Sequence, residues 1–201
     1  IVSRRFGKSL GINALGPDKI CSFDCRYCNL GASLFTMNKI RKEVVLPTRT
    51  EIVDAIRAQL RLTSDVDAMT FSGNGEPTLH PEFEELVMDV KLARDELSPR
   101  AKLIVLTNGA HLDSKKVIAG LNQVDYRVIK LDAGNDKLMK AVNAPLVRRN
   151  LAQLLSGIKR LNDCMIQAMF MKGPIDNTGS ADIDEWVEVI GMIKPTAVQI
   201  M

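Results

Sequence analysis

The sequence predicts an α/β protein, a partial (β/α)6 barrel of the TIM type, and three observations lead there. Short apolar runs alternate with amphipathic stretches of helical spacing, the pattern of a parallel sheet with crossover helices. The alternation makes six β/α steps, the last lacking its helix, and right-handed crossovers would wrap such strands into an incomplete barrel. Unusual polar residues recur where the strands end, the face on which barrels carry their chemistry.

Taken in order, residues 10–15 form the first strand candidate and run into a cysteine-rich loop. Residues 50–62 carry Ile52, Val53, Ile56 and Leu60 near helical spacing, with Thr48 or Thr50 as cap. Residues 68–72 read as a strand, and residues 81–97 as a helix burying Phe83, Leu86, Val87, Val90 and Leu92. Strand 102–106, helix 113–121 and strand 126–131 follow. Helix 148–161, strand 165–171, helix 182–193 and a buried final strand over 197–201 complete the chain. The connection from Cys21 to Pro47 is long for a compact domain, and loops of that length are usually functional.

The 201 residues suit one domain over 1–201. Because they open at Ile1 and close on strand-like text, the expectation is a chain trimmed at one or both ends. No apolar run reaches membrane-span length and no signal-peptide pattern opens the sequence, so no membrane partner is expected. Few cysteines, clustered as ligands, point to a reducing cytoplasm. A net charge of +3 permits a nucleic-acid substrate without requiring one.

Three of the four cysteines, Cys21, Cys25 and Cys28, fall in the spacing C-x3-C-x2-C. Thiolates are the ligands that iron–sulfur clusters and soft metals demand. Three can hold three irons of a four-iron cluster and leave the fourth iron open to a ligand. A zinc site would need a fourth donor from Cys164, His80 or His111, none of which lies in a second compact ligand pair. A disulfide framework is disfavoured because cysteines this close would make strained loops.

Gly73-Asn74-Gly75-Glu76-Pro77 ends the second strand. Its glycines let a ligand approach the backbone closely, and the Glu76 carboxylate is suited to an ammonium group. It is no dinucleotide fingerprint, since Thr78 stands where the third glycine would be. Thr107 and Asn108 end the third strand in an Asn-Gly pair that is also a plain turn signal. Lys130 and Asp132 share one face by strand alternation, either to meet an anionic ligand or as an internal ion pair. Gln167, Met169 and Asn177 are further candidates for the same cavity. His80 and His111 follow strand ends and are read as proton carriers or structural histidines. Cys164 reads as a buried core residue, and Arg4-Arg5, Arg41-Lys42 and Arg148-Arg149 as solvated basic pairs, with phosphate binding as the minority reading.

The cysteine spacing, with Tyr27 before the last cysteine, resembles the signature of the radical S-adenosylmethionine (radical SAM) superfamily, and 73–77 resembles its Gly-Gly-Glu motif. Residues 3–13, 71–81 and Lys130-Leu131-Asp132-Ala133-Gly134 further resemble iron–sulfur oxidoreductases related to wyosine-base synthesis on tRNA. Those tRNA-modifying enzymes carry a second cluster, whereas only Cys164 remains here outside the triad.

The resemblance implies a radical SAM barrel with a [4Fe–4S] cluster on Cys21, Cys25 and Cys28 and SAM on its open iron. It implies SAM contacts from Tyr27, Gly73, Asn74, Gly75, Glu76, Thr107, Asn108, Lys130, Asp132 and Gln167. Glu76 would meet the SAM amino group, Lys130 its carboxylate and Asp132 the ribose hydroxyls. It also implies a low-potential electron donor, flavodoxin or ferredoxin, and a 5′-deoxyadenosyl radical that takes hydrogen from the substrate. A nucleic-acid base, tRNA included, or a small metabolite is the favoured substrate class. Activation or modification of a protein or peptide partner is the alternative, followed by a non-catalytic metal-binding protein.

Overall fold

The structure is a computed structural model that describes residues 2–3, 5–36, 39–40, 43–63 and 65–201. Arg4, Arg41 and Lys42 of the basic pairs lie outside the described residues. Six parallel strands form the body of one open sheet, with a short antiparallel strand at its leading edge. In chain order these begin with β1 (Val2–Ser3) and β2 (Gly7–Ile12), before the small hairpin of β3 (Phe35–Thr36) and β4 (Lys39–Ile40). Helix α1 (Arg49–Leu62), strand β5 (Ala68–Phe71), helix α2 (Phe83–Leu97) and strand β6 (Lys102–Thr107) follow. Next come α3 (Lys115–Leu121), β7 (Tyr126–Lys130), α4 (Asp136–Asn143), α5 (Leu151–Ile158), β8 (Met165–Ala168), α6 (Ser180–Ile193) and β9 (Ala197–Ile200). The sheet order β1-β2-β5-β6-β7-β8-β9 leaves β2 and β9 unpaired with each other, so the barrel is incomplete, as expected.

Local chemistry accounts for the element ends. Thr48 caps α1 in a reciprocal box: its hydroxyl accepts from Glu51 N at 3.3 Å while the Glu51 carboxylate accepts from Thr48 N at 2.8 Å. Ile52, Ile56 and Leu60 then recur every four residues and bury one stripe. Phe83, Leu86, Val87 and Val90 do the same on α2, but Leu92 is 61% exposed, contrary to expectation. Two residues beyond Val90 is slightly more than half a turn, which carries Leu92 to the outer face; Ala93 and Arg94 take the inner one.

Three further expectations are corrected. The first strand begins earlier, at Gly7, and stops at Ile12, because Asn13 folds back to donate Nδ2 to Gly16 O. The helix expected over 148–161 is only Leu151–Ile158, with Asn150 as cap. Ahead of it stands α4, which the sequence reading passed over; Asn135 Oδ1 accepts from Leu138 N at 2.7 Å to start it. The final strand, expected to be buried, leaves Val198 and Ile200 40% and 63% exposed at the end of the sheet. Among the described residues no helix is long and apolar enough to cross a membrane.

Candidate functional site

The cysteine loop leaves β2 and is fastened on two sides. Ile20 forms a parallel bridge with Gly75: Ile20 N donates to Asn74 O and Glu76 N donates to Ile20 O, both at 2.9 Å. Position 75 has to be glycine. Its φ is +146° and a Cβ there would sit 1.8 Å from Ile20 O. On the other flank the chain leaving α4 runs antiparallel to residues 22–26, with Arg26 N to Val142 O and Leu146 N to Ser22 O at 2.8 Å. The unexpected helix α4 thus carries a main-chain clamp for the cysteines.

Inside the loop, buried Lys19 donates to Asp24 Oδ1 at 2.7 Å and to Gly31 O at 2.6 Å. Burial opposes the Lys19 charge, yet Asp24 and the Cys28 and Cys21 sulfurs outweigh it and raise its pKa. Ser33 Oγ donates to Cys21 O at 2.7 Å and accepts from Cys21 N at 2.9 Å. Cys28 N donates to Cys25 O at 2.9 Å, closing a tight turn between the last two cysteines. None of the four cysteines is in a disulfide, and the triad is half-buried.

At the carboxyl ends of the strands, a cavity of about 150 Å³ brings these segments together. Cys21 and Cys25 line it with Gly75 and Glu76, Thr107 and Asn108, Lys130, and Gln167. Burial, and then the Glu76 charge, push the Cys21 thiol up to about 12; burial also pushes Cys25 up, against a hydrogen bond from Asn143. A thiolate here needs compensating positive charge, which is the chemistry of a metal ligand. Among the described residues no three His, Cys, Asp or Glu side chains gather as they would around one ion. Cys21 and Cys25 at one cavity, with Cys28 three residues further on, form a thiolate set of the kind that iron–sulfur clusters use.

Two buried carboxylates organise the walls. Glu76 Oε1 accepts from Thr78 N at 3.2 Å and from the Thr78 and Thr107 hydroxyls at 2.6 Å, and Oε2 accepts from Asn108 N at 2.7 Å. Three donors crowd Oε1 and one reaches Oε2, which keeps one acceptor position. Asp132 Oδ2 accepts from Tyr27 OH at 2.5 Å and Asn143 Nδ2 at 2.6 Å; Oδ1 accepts from Met169 N at 2.7 Å. Lys130 Nζ lies 3.2 Å from Asp132 Oδ1, the same-face pair that strand alternation implies, and 5.0 Å from the Tyr27 ring centroid. The Asp132 contact is an ion pair, and it leaves the ammonium N–H donors to spare. Burial pulls the Lys130 pKa down despite Asp132. Burial, followed by the Asp132 charge, pushes the Tyr27 phenol up.

Not every candidate faces the cavity. Asn74 turns away and donates Nδ2 to Pro17 O at 2.7 Å, pinning the entry to the cysteine loop, while Gly73 packs against Asn13. Gln167 lines the cavity and donates to Gln199 Oε1 at 3.0 Å. Asn177 is buried and donates to Asp132 O and Met169 O at 2.9 and 2.8 Å, so it ties loops together. His80 is held at both ring nitrogens by Pro47 O and Glu82 N and is structural. His111 packs edge-on to Phe35, and burial pulls its pKa down. Cys164 precedes β8, at the strand end opposite the cavity, and its thiol is pushed up to about 11 by burial. The sequence reading missed Asn143, Ser22 and Lys19. The signal for the first was present, since Leu138, Met139 and Val142 behind Asn135 have helical spacing and a cap.

A family model for the radical SAM superfamily matches residues 18–190. A UPF0026 protein of Synechocystis sp. is 31% identical over 204 residues, covering 98% of this chain and 71% of that protein. The chain spans 29% to 71% of the length of the curated relatives it matches. Among solved structures, Streptococcus suis SuiB bound to S-adenosylmethionine aligns at a TM-score of 0.64 and 22% identity, covering 97% of this chain and 39% of that one. TYW1 with a lysine-pyruvate adduct bound aligns at 0.67 and 17% identity, covering 95% and 64%. At these identities the two structures speak for the fold.

Proposed function

This chain belongs to the radical SAM superfamily, with the UPF0026 proteins, and we propose that Cys21, Cys25 and Cys28 hold its [4Fe–4S] cluster at the mouth of the cavity. Radical SAM proteins are enzymes that use such a cluster with SAM. When bound, the cluster supplies the electron that splits SAM into methionine and a 5′-deoxyadenosyl radical, which takes a hydrogen atom from the substrate. The observation that carries the reading is convergence: Cys21 and Cys25 share one cavity with polar residues from the ends of four successive strands.

Each residue then has a role set by its surroundings. Lys130, an ammonium at the cavity wall with N–H donors beyond its contact to Asp132, neutralises the SAM carboxylate. Gly75 turns its backbone to the methionine portion, because Asn74 O and Glu76 N are the groups committed to Ile20. Asn108 and Gln167 line the remaining walls. Asp132 has both oxygens, and Glu76 all but one acceptor position on Oε2, committed to protein donors. We therefore assign them to positioning: Glu76 holds Thr107 and Asn108, and Asp132 holds Tyr27, Lys130 and Asn143. Asn74 and Gly73 fix the loop entry. A flavodoxin or ferredoxin is the electron donor.

For the substrate, the feature that favours a nucleic-acid base or another phosphate-bearing metabolite is a second, open cavity of about 650 Å³. Lys140 and Arg148 line it beside Arg149, which is not solvated as expected but paired with Asp113 at 3.0 Å, and the segment is bonded to the cysteine loop through Leu146 N and Ser22 O. The assignment is tested by alanine at each cysteine. Cys21→Ala, Cys25→Ala and Cys28→Ala should each lose iron, sulfide and SAM cleavage, while Cys164→Ala keeps all three. Full iron and undiminished 5′-deoxyadenosine release from any triad variant would sink it.

A further inference from the structure

Two amides reach the cysteine sulfurs from opposite flanks of the loop. Asn108 Nδ2 lies 3.5 Å from Cys21 Sγ and 3.0 Å from Ser22 Oγ. Asn143 Nδ2 lies 3.4 Å from Cys25 Sγ and 2.6 Å from Asp132 Oδ2. Both side chains are buried, 7% and 3% exposed, so water does not compete for these donors. Their orientation follows from their partners. Ala110 N donates to Asn108 Oδ1 at 2.9 Å, which fixes that end of the amide as the acceptor. Turning Asn143 over would set its oxygen against a carboxylate and a sulfur, neither of which can donate in the ionised site.

We infer that Asn108 and Asn143 are paired amide donors that hold the Cys21 and Cys25 thiolates in place and raise the reduction potential of the cluster. This rests on the cysteine assignment above. Hydrogen bonds to ligand sulfur are among the levers that set iron–sulfur potentials, and outer-shell partners also orient the ligands. The sense is set by charge: the reduced cluster has one more electron, spread partly over sulfur, so an N–H donor stabilises it more than the oxidised form. Both residues are positioning residues that act through the cysteines. Asn108 directly follows β6 and Asn143 ends α4, so regular elements outside the cysteine loop set the two distances.

The test is a redox titration of the anaerobically reconstituted protein followed by electron paramagnetic resonance. Asn143→Leu, Asn143→Asp and Asn108→Leu are compared with the parent at matched iron and sulfide content. Each should lower the reduced-to-oxidised ratio at a fixed potential by about tenfold, which is 59 mV in a one-electron couple. In deuterated buffer, pulsed resonance of the parent should detect exchangeable amide deuterons coupled to the cluster, with one class lost in each variant. A cluster-bearing variant with an unchanged midpoint overturns the inference. If no variant retains a cluster, absence of coupled amide deuterons in the parent overturns it. A parent that binds no iron contradicts the cysteine assignment instead, and iron content separates the two failures.

Discussion

Gly75→Ala is the single change that should do the most damage for the fewest atoms. The added Cβ would lie 1.8 Å from Ile20 O, 2.5 Å from Ile20 C and 3.0 Å from Ile20 N, so it meets backbone that no rotamer change can clear. Ile20 has to retreat, and both 2.9 Å bonds of the bridge, to Asn74 O and from Glu76 N, go with it. Two net backbone hydrogen bonds are worth about 2 kcal/mol. The positive φ adds roughly 1–3 kcal/mol for a residue with a side chain. A loss of about 3–5 kcal/mol follows, against a typical total of roughly 5–15. Gly31→Ala is the internal control. Gly31 also has a positive φ, +76°, but nothing lies within 4 Å of its Cβ position, so only the conformational cost applies. Urea unfolding of the metal-free protein reads both: the midpoint should fall by about 1–2 M for Gly75→Ala at the steep end of ordinary slopes, roughly 2.5–3 kcal/mol/M, that a chain of this size implies, and by less for Gly31→Ala. Equal midpoints would show that the bridge does not fasten the loop, and the argument from Gly75 would be lost.

The remaining predictions concern the buried charges. Glu76→Gln puts an NH2 against donors that now meet an acceptor, and should cost about 2–4 kcal/mol in urea unfolding, since one donor is stranded without solvent. Lys130→Met should leave iron content unchanged while weakening SAM binding at least tenfold by equilibrium dialysis; unchanged affinity would remove Lys130 from the carboxylate site. Asp125 sets an acid limit. Burial raises its carboxyl, but Leu103 N and the Arg94 guanidinium, each at 2.8 Å, together pull it below the ordinary range. A depressed folded pKa gives stability that is complete above the unfolded value near 4 and is lost as pH falls through the lower, folded value. The urea midpoint of the parent should therefore drop more steeply below pH 4 than that of Asp125→Asn, and parallel curves would contradict the assignment.

The sheet and the strand-end motifs were legible because they rest on periodicity and on residue types with narrow uses. Lys130 and Asp132 were placed on one face by alternation alone, and they do form a pair. The fate of their hydrogen bonds was not legible. Nothing local says that Asp132 would spend its oxygens on Tyr27, 105 positions away in sequence, or that Glu76 would be filled by Thr107 and Asn108 from the next strand. Such partners are fixed only when parallel strands are in register. Helix α4 was lost for a different reason: eight residues make little more than two turns, and the basic run at 148–149 drew attention to the next helix. Leu92 and the final strand erred the same way, because apolar character was taken for burial without asking which neighbour would cover it.

The most direct test of the central claim is the electron paramagnetic resonance spectrum of the reconstituted, dithionite-reduced protein with and without SAM, with 5′-deoxyadenosine assayed in the same tubes. A reduced-cluster signal that changes on adding SAM, with deoxyadenosine released, is the predicted result. A cluster signal indifferent to SAM, with no deoxyadenosine formed, would contradict the account.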